Sequence, residues 1–227
     1  MNTIKYLLIA SVNLFLFSSC NSWDKAEPTP SFIYVPEVKL ANKPAFGTLK
    51  QDFTESYIYL DGQLLGVYPI PGLVPILSTG SHTLTVFGGI HNYGIKSQPQ
   101  PYPLLDKVEI PVNLVSGKID TLTPVVKYRD DITAAINESF EGGNTILSTT
   151  LKGKGILLTT QDAFEGKQCG LFQLDTLSPL IEVGSVDLNL PKDGTRIYIE
   201  LHYKNEVDFL VGIKGYNSTD QLSTYIV

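Results

Sequence analysis

The side chains in this sequence able to do chemistry are few: three histidines, two cysteines and a scatter of carboxylates. His82, His91 and His202 have no spacing that suggests a metal cage. Carboxylates pair at Asp130 with Asp131, Glu138 with Glu141, and Asp162 with Glu165. Two carboxyls facing one cleft are what a glycosidase requires, but a chain with this many acids offers pairs on its solvated surface without any cleft. Glu138 and Glu141 are also the candidate ligands for a structural Ca²⁺, a hard cation that gathers several oxygens. No other cofactor is expected. The nucleophile elbow, the His-Glu-x-x-His helix, the phosphate loop, the paired-cysteine redox motif and the EF-hand loop are all missing from the sequence. The stretch 87–105 reads as a long loop with three prolines and three glycines, and it carries His91, Tyr93 and Tyr102. Tyrosines in such a loop can stack on a sugar or grip a peptide, and they can equally plug one end of a sandwich. These three residues are the candidate binding site, and no catalytic residue is expected.

The N-terminus carries a different chemistry. Lys5 precedes an apolar run from Tyr6 to Phe17, interrupted at Ser11 and Asn13, and Ser18 and Ser19 lead to Cys20. Charge, apolar core and small residues in that order are the layout of a secretory signal. The run is shorter than the ~20 apolar residues a membrane span needs. Phe17-Ser18-Ser19-Cys20 resembles the lipobox of bacterial lipoproteins, with Phe17 standing where a smaller aliphatic is commoner. That resemblance implies cleavage before Cys20 and several palmitate-type acyl chains on it. Each buried methylene adds about 0.8 kcal/mol, so several chains hold where one does not. Cys20 is then the lipidation site and the membrane its partner, at the bacterial cell envelope and most simply the outer membrane.

Removing residues 1–19 leaves 208 residues with 16 basic and 23 acidic side chains. Such an acidic balance argues against nucleic acid as a partner, since clustered Lys and Arg set that affinity. With Cys20 lipidated, only Cys169 remains, and an intramolecular disulfide is impossible. Buried apolar surface must hold the fold.

Residues 20–31 are polar and proline-containing and read as a tether. From Phe32 the pattern becomes β, with period-2 alternation in segments rich in Val, Ile, Thr and Tyr. Strands are expected near 32–40, 56–60, 64–68, 81–87, 108–115 and 119–128. Hairpins are expected at Asp61-Gly62 and at Ser116-Gly117. Residues 129–137 break the pattern and read as a junction with room for one helical turn. Further strands are expected near 146–151, 155–160, 168–175, 181–188, 196–204, 207–214 and 222–227. Segment 196–204 alternates cleanly: Ile197, Ile199, Leu201 and Tyr203 for a buried face, Arg196, Glu200, His202 and Lys204 for water. Segment 207–213 is apolar on both sides and reads as a central strand.

The first half, with Tyr59-Leu60-Asp61-Gly62, Leu65-Gly66-Val67-Tyr68-Pro69 and Gly80-Ser81-His82-Thr83-Leu84-Thr85-Val86, is similar to β-sandwich modules of the PEGA and carboxypeptidase-regulatory type. That implies an immunoglobulin-like accessory fold. The second half, with Glu138-Ser139-Phe140-Glu141, Glu165 to Gly170 and Tyr198 to Tyr203, resembles carbohydrate-binding jelly rolls, with Cys169 where serine is usual. The expectation is therefore an all-β protein of two β-sandwich domains, 32–128 and 138–227, the second one strand short of the ~8 of a jelly roll. A partner or a strand of the first half is a candidate to supply that strand. The expected function is a lipid-anchored, non-catalytic binding or assembly module with an envelope protein or glycan as partner. The alternative is carbohydrate binding through the second domain, with a glycoside hydrolase ranked last.

Overall fold

The computed structural model describes residues 27–41, 46–92, 95–191, 193–216 and 221–226. The protein is all-β, with seventeen strands and no α-helix among the described residues. Residues 129–137 form no helical turn, contrary to the allowance made for one.

The first half stacks two sheets. One is built on β3 (Glu55–Leu60), β4 (Gln63–Pro69) and the long β6 (Gly80–His91). Its strand order is β4-β3-β6, and the far side of β6 is shared by β9 (Val108–Leu114) and β7 (Pro99–Pro101). Asp61 and Gly62 make the β3–β4 turn with φ of 48° and 82°. Two successive positive φ values match the right-handed twist of the strands they join, which is why Asp-Gly serves here. The second layer contains β1 (Ser31–Val35) between β5 (Gly72–Ile76) and β10 (Ile119–Thr121). It continues as β2 (Lys39–Leu40), β11 (Val125–Tyr128) and β8 (Leu105–Asp106), with β11 in the middle. Pro36 and Pro124 fall at the breaks, where a residue without an N–H cannot donate to the ladder. Bonds from Leu122 N to Tyr34 O and from Lys39 N to Pro124 O carry the pairing across.

Ile33, Val35, Ile58, Leu60, Val74, Leu84, Val86 and Val126 interleave between the layers, and the buried cluster closes with Tyr102 and Tyr128. Burying each large apolar side chain contributes about 1.5–3 kcal/mol, so this core is the main stabilising feature of the molecule.

Ser116-Gly117 is not a hairpin turn. β9 pairs with β6, whereas β10 pairs in parallel with β1, so the turn carries the chain from one layer to the other. Alternation on both sides of a tight turn looks the same in either case. β5 and β7 are strands that their prolines hid. Pro75 and the pair Pro99 and Pro101 are tolerated because both strands lie at sheet edges. The expected loop at 87–105 is shorter: β6 runs on to His91 and β7 returns beside it. Gly89 permits this, since a Cβ there would stand 2.9 Å from the Glu55 carbonyl oxygen.

The second half is more open. β12 (Thr149–Lys152) pairs with β15 (Glu182–Gly184), β13 (Leu157–Thr159) with β14 (Cys169–Leu171), and β16 (Val211–Tyr216) with β17 (Gln221–Ile226). No larger sheet joins them among the described residues. Two expectations fail here. Segment 196–204 joins no ladder and is exposed on both sides except at Tyr198, with Ile197, Ile199, Leu201 and Tyr203 42–65% accessible. Residues 207–210 are likewise exposed and outside any strand. On the other side of 196–204, Tyr198 and Glu200 meet the first half, while His202 and Lys204 meet Phe164 and Asp162 of the second.

Candidate functional site

The upper end of the sandwich, away from the chain's entrance at Pro30, gathers most of the polar contacts of interest. Tyr102 follows β7 and is held by its N–H to the Gly88 carbonyl; Tyr128 ends β11 opposite Leu105. Both rings are about nine-tenths or more buried, yet both hydroxyls emerge at one point. There they donate to a single carboxylate, Glu200, Tyr102 to Oε1 and Tyr128 to Oε2 at 2.7 Å. Phe46 stacks on Tyr128 at 4.6 Å between centroids, and Tyr198 meets Tyr102 edge-on at 5.5 Å. Burial, reinforced by the Glu200 carboxylate, pushes both phenol pKa values well above the ordinary tyrosine range. They therefore remain donors at every physiological pH. Lys50 adds a second link between the halves, its Nζ donating to the Phe164 carbonyl at 2.9 Å and lying 4.2 Å from that ring's centroid.

This clasp predicts a measurable coupling. Glu200→Ala leaves two buried hydroxyls without their acceptor, a loss of about 1–3 kcal/mol. In a denaturation cycle, Glu200→Ala added to Tyr102→Phe with Tyr128→Phe is expected to cost much less than Glu200→Ala alone. Strictly additive losses would mean that the contact contributes nothing to stability.

His91 sits near the end of β6, its Nε2 2.6 Å from Glu55 Oε1, and the pair is four-fifths buried. Thr54 Oγ1 donates to the other Glu55 oxygen at 2.8 Å. The histidine is thus tied to its own sheet. It shares the upper end with Tyr102 but takes a different partner. Tyr93 lies outside the described residues, as does Cys20.

Glu138 and Glu141 are surrounded by donors. Glu138 accepts from Phe140 N at 2.6 Å, Ile146 N at 2.7 Å and Thr145 Oγ1 at 2.9 Å. Burial works to raise its pKa, but these hydrogen bonds outweigh it and hold the carboxyl below its ordinary value. Glu141 Oε1 accepts from Gln168 N at 2.8 Å and Lys167 N at 2.6 Å, which lower its pKa in the same way. The two carboxylates pin turns of the second half together, and no cluster of three acidic, histidine or cysteine side chains placed to hold a metal occurs among the described residues.

His82 has a structural assignment. Its Nδ1 lies 2.6 Å from Asp61 Oδ2 and its Nε2 3.1 Å from the Thr79 carbonyl, while Asp61 Oδ1 accepts from Thr83 N. The Asp61 hydrogen bond raises the His82 pKa, and the His82 and Thr83 hydrogen bonds lower that of Asp61. The signs follow. Stability from His82 is complete below its unfolded value near 6.5 and is lost as pH rises through the higher folded value. Stability from Asp61 is lost only as pH falls through a folded value below 3.8. An NMR titration is expected to place the His82 midpoint above 6.5, and in Asp61→Asn to bring it back down. An unshifted midpoint in the parent protein refutes the His82–Asp61 pairing.

Glu200, Tyr128 and Glu55 are the participants that sequence reasoning missed. The alternation of its segment places Glu200 toward solvent, and nothing local distinguishes an acid that will meet two tyrosines 98 and 72 residues away. Two surface recesses, of about 450 and 520 Å³, are open and do not gather these groups; Glu37, Lys50 and Phe164 line one, and Asp106, Lys107 and Arg129 the other. Comparison with protein-family models, with curated proteins and with solved structures finds no match.

Proposed function

We propose that this protein is a lipid-anchored, non-catalytic binding or assembly module of a bacterial cell envelope. The observation that carries the reading is Cys20 in its setting: a basic residue, an apolar run, two serines and then the cysteine. The polar tether follows, and then a sandwich whose strongest polar contacts are spent inside the molecule rather than around a cleft. The second half offers apolar side chains to a partner, with Phe172, Leu174, Leu177 and Leu180 all well exposed. Exposed apolar surface of this extent is characteristic of protein contact sites. Crosslinking in intact cells, followed by purification of the full chain from detergent-solubilised envelope, is expected to recover one reproducible partner. Repeated recovery of the uncrosslinked chain alone counts against the assembly role.

A second reading, carbohydrate binding, draws on the aromatic pair Tyr203 and Phe209, packed edge to face at 4.9 Å and both exposed. Paired rings of this kind suit stacking on a sugar face. Affinity electrophoresis through a panel of polysaccharides, with and without calcium, tests it, and unretarded migration on all of them removes it.

A further inference from the structure

The end of the sandwich opposite the tyrosine clasp has its own character. The chain enters there, and two loops are tied to the entering residues. Gly117 N donates to the Pro30 carbonyl at 2.9 Å and Ser116 Oγ to the Thr29 carbonyl at 2.8 Å. Ser31 Oγ bonds the Ile76 and Ser78 carbonyls, each at 3.0 Å. β1, β6 and β10 begin at this end and β5 and β9 finish at it, as their registers require. Leu77 and Val115 stand on these loops and Ile119 opens β10 opposite Phe32; they are 70%, 45% and 56% exposed. Asp120 is matched by Lys118 at 2.6 Å and Asp61 by His82, while Glu27 on the entering chain is exposed.

We propose that this end is a membrane-contacting rim, in which Leu77, Val115 and Ile119 enter the headgroup region of the bilayer that holds the lipidated Cys20. The inference rests on the lipid-anchor reading. The length of chain before the sandwich argues for the occupant. Asn21–Pro30 spans at most about 35 Å when fully extended, so the end that receives this segment is the one kept beside the bilayer. Exposed aliphatic side chains such as these suit a lipid interface. The second half meets the first at the other end, through Tyr102, Tyr128 and Lys50, and so points away from the membrane.

The test uses the full lipidated chain in vesicles of phosphatidylethanolamine and phosphatidylglycerol. Leu77→Cys, Val115→Cys, Ile119→Cys and, as a control at the far end, Lys107→Cys are each made in a Cys169→Ser background and labelled with a nitroxide, the Cys20 sulfur being capped by lipid. The three rim labels are expected to be relaxed more by oxygen than by a water-soluble nickel chelate, and the Lys107 label the reverse. Rim labels as open to the nickel reagent as the Lys107 label, on a chain whose Cys20 is lipidated by mass spectrometry, overturn the rim and leave the anchor standing. An unmodified Cys20 overturns both.

Discussion

Cys20→Ala is expected to move the protein from the membrane fraction to the soluble fraction, or to leave it as an uncleaved precursor. The physical basis is the size of the anchor. At about 0.8 kcal/mol for each buried methylene, two or more acyl chains make membrane association effectively permanent, whereas one gives marginal binding. Among the described residues little else can compensate. None of the helices required for a span occurs among the described residues, and three rim aliphatics bury far less apolar surface than a pair of acyl chains. Detergent phase partitioning combined with intact-mass measurement separates the outcomes. The parent protein should enter the detergent phase with a mass consistent with residues 20–227 plus lipid. The variant should lack the lipid mass, and if it is processed elsewhere it should stay in the aqueous phase. A Cys20→Ala protein that remains as firmly in the membrane as its parent, already cleaved, would falsify the anchor.

The first half was legible because local signals and tertiary contacts agree there. Asp61-Gly62 demands positive φ and receives it. The alternation of β1 and β11 becomes a burial alternation, with Ile33, Val35, Val126 and Tyr128 turned inward. What failed was information that alternation does not contain. A tight turn does not say whether the next strand pairs with its neighbour or crosses to the other layer, so Ser116-Gly117 was misread. Proline suppresses a strand signal whether or not an edge position tolerates it, which hid β5 and β7. The candidate site divides in the same way. Tyr102 was singled out by its loop, and it does converge on a polar contact. The partner, Glu200, depends on packing between residues nearly a hundred positions apart, and no short-range pattern encodes that.

The sharpest contrast concerns two isoleucines with the same local setting. Ile58 and Ile199 each stand in a short run that alternates with tyrosines and other residues, Ser56-Tyr57-Ile58-Tyr59-Leu60 and Ile197-Tyr198-Ile199-Glu200-Leu201. Ile58 is fully buried, paired on both sides by β4 and β6, and in contact with the central cluster. Ile58→Ala there loses the transfer energy of the deleted atoms and opens a cavity that the sheets on either side cannot close, a loss of about 2–5 kcal/mol. Ile199 is 42% exposed because Tyr198 and Glu200, its neighbours on the opposite face, are the residues the first half engages. Ile199→Ala should therefore cost less than about 0.5 kcal/mol, the usual range for a surface change. Chemical denaturation of the two variants beside the parent measures both. A large loss at Ile199 would mean that its apolar face is covered in solution and that 196–204 belongs to a closed sheet. A small loss at Ile58 would contradict the sandwich itself, since Ile58 is fully buried and flanked by paired strands on both sides. The difference between the two losses thus reports how far the polar grip of Tyr102 and Tyr128 on Glu200 overrides the preference of an alternating segment to bury its aliphatic side.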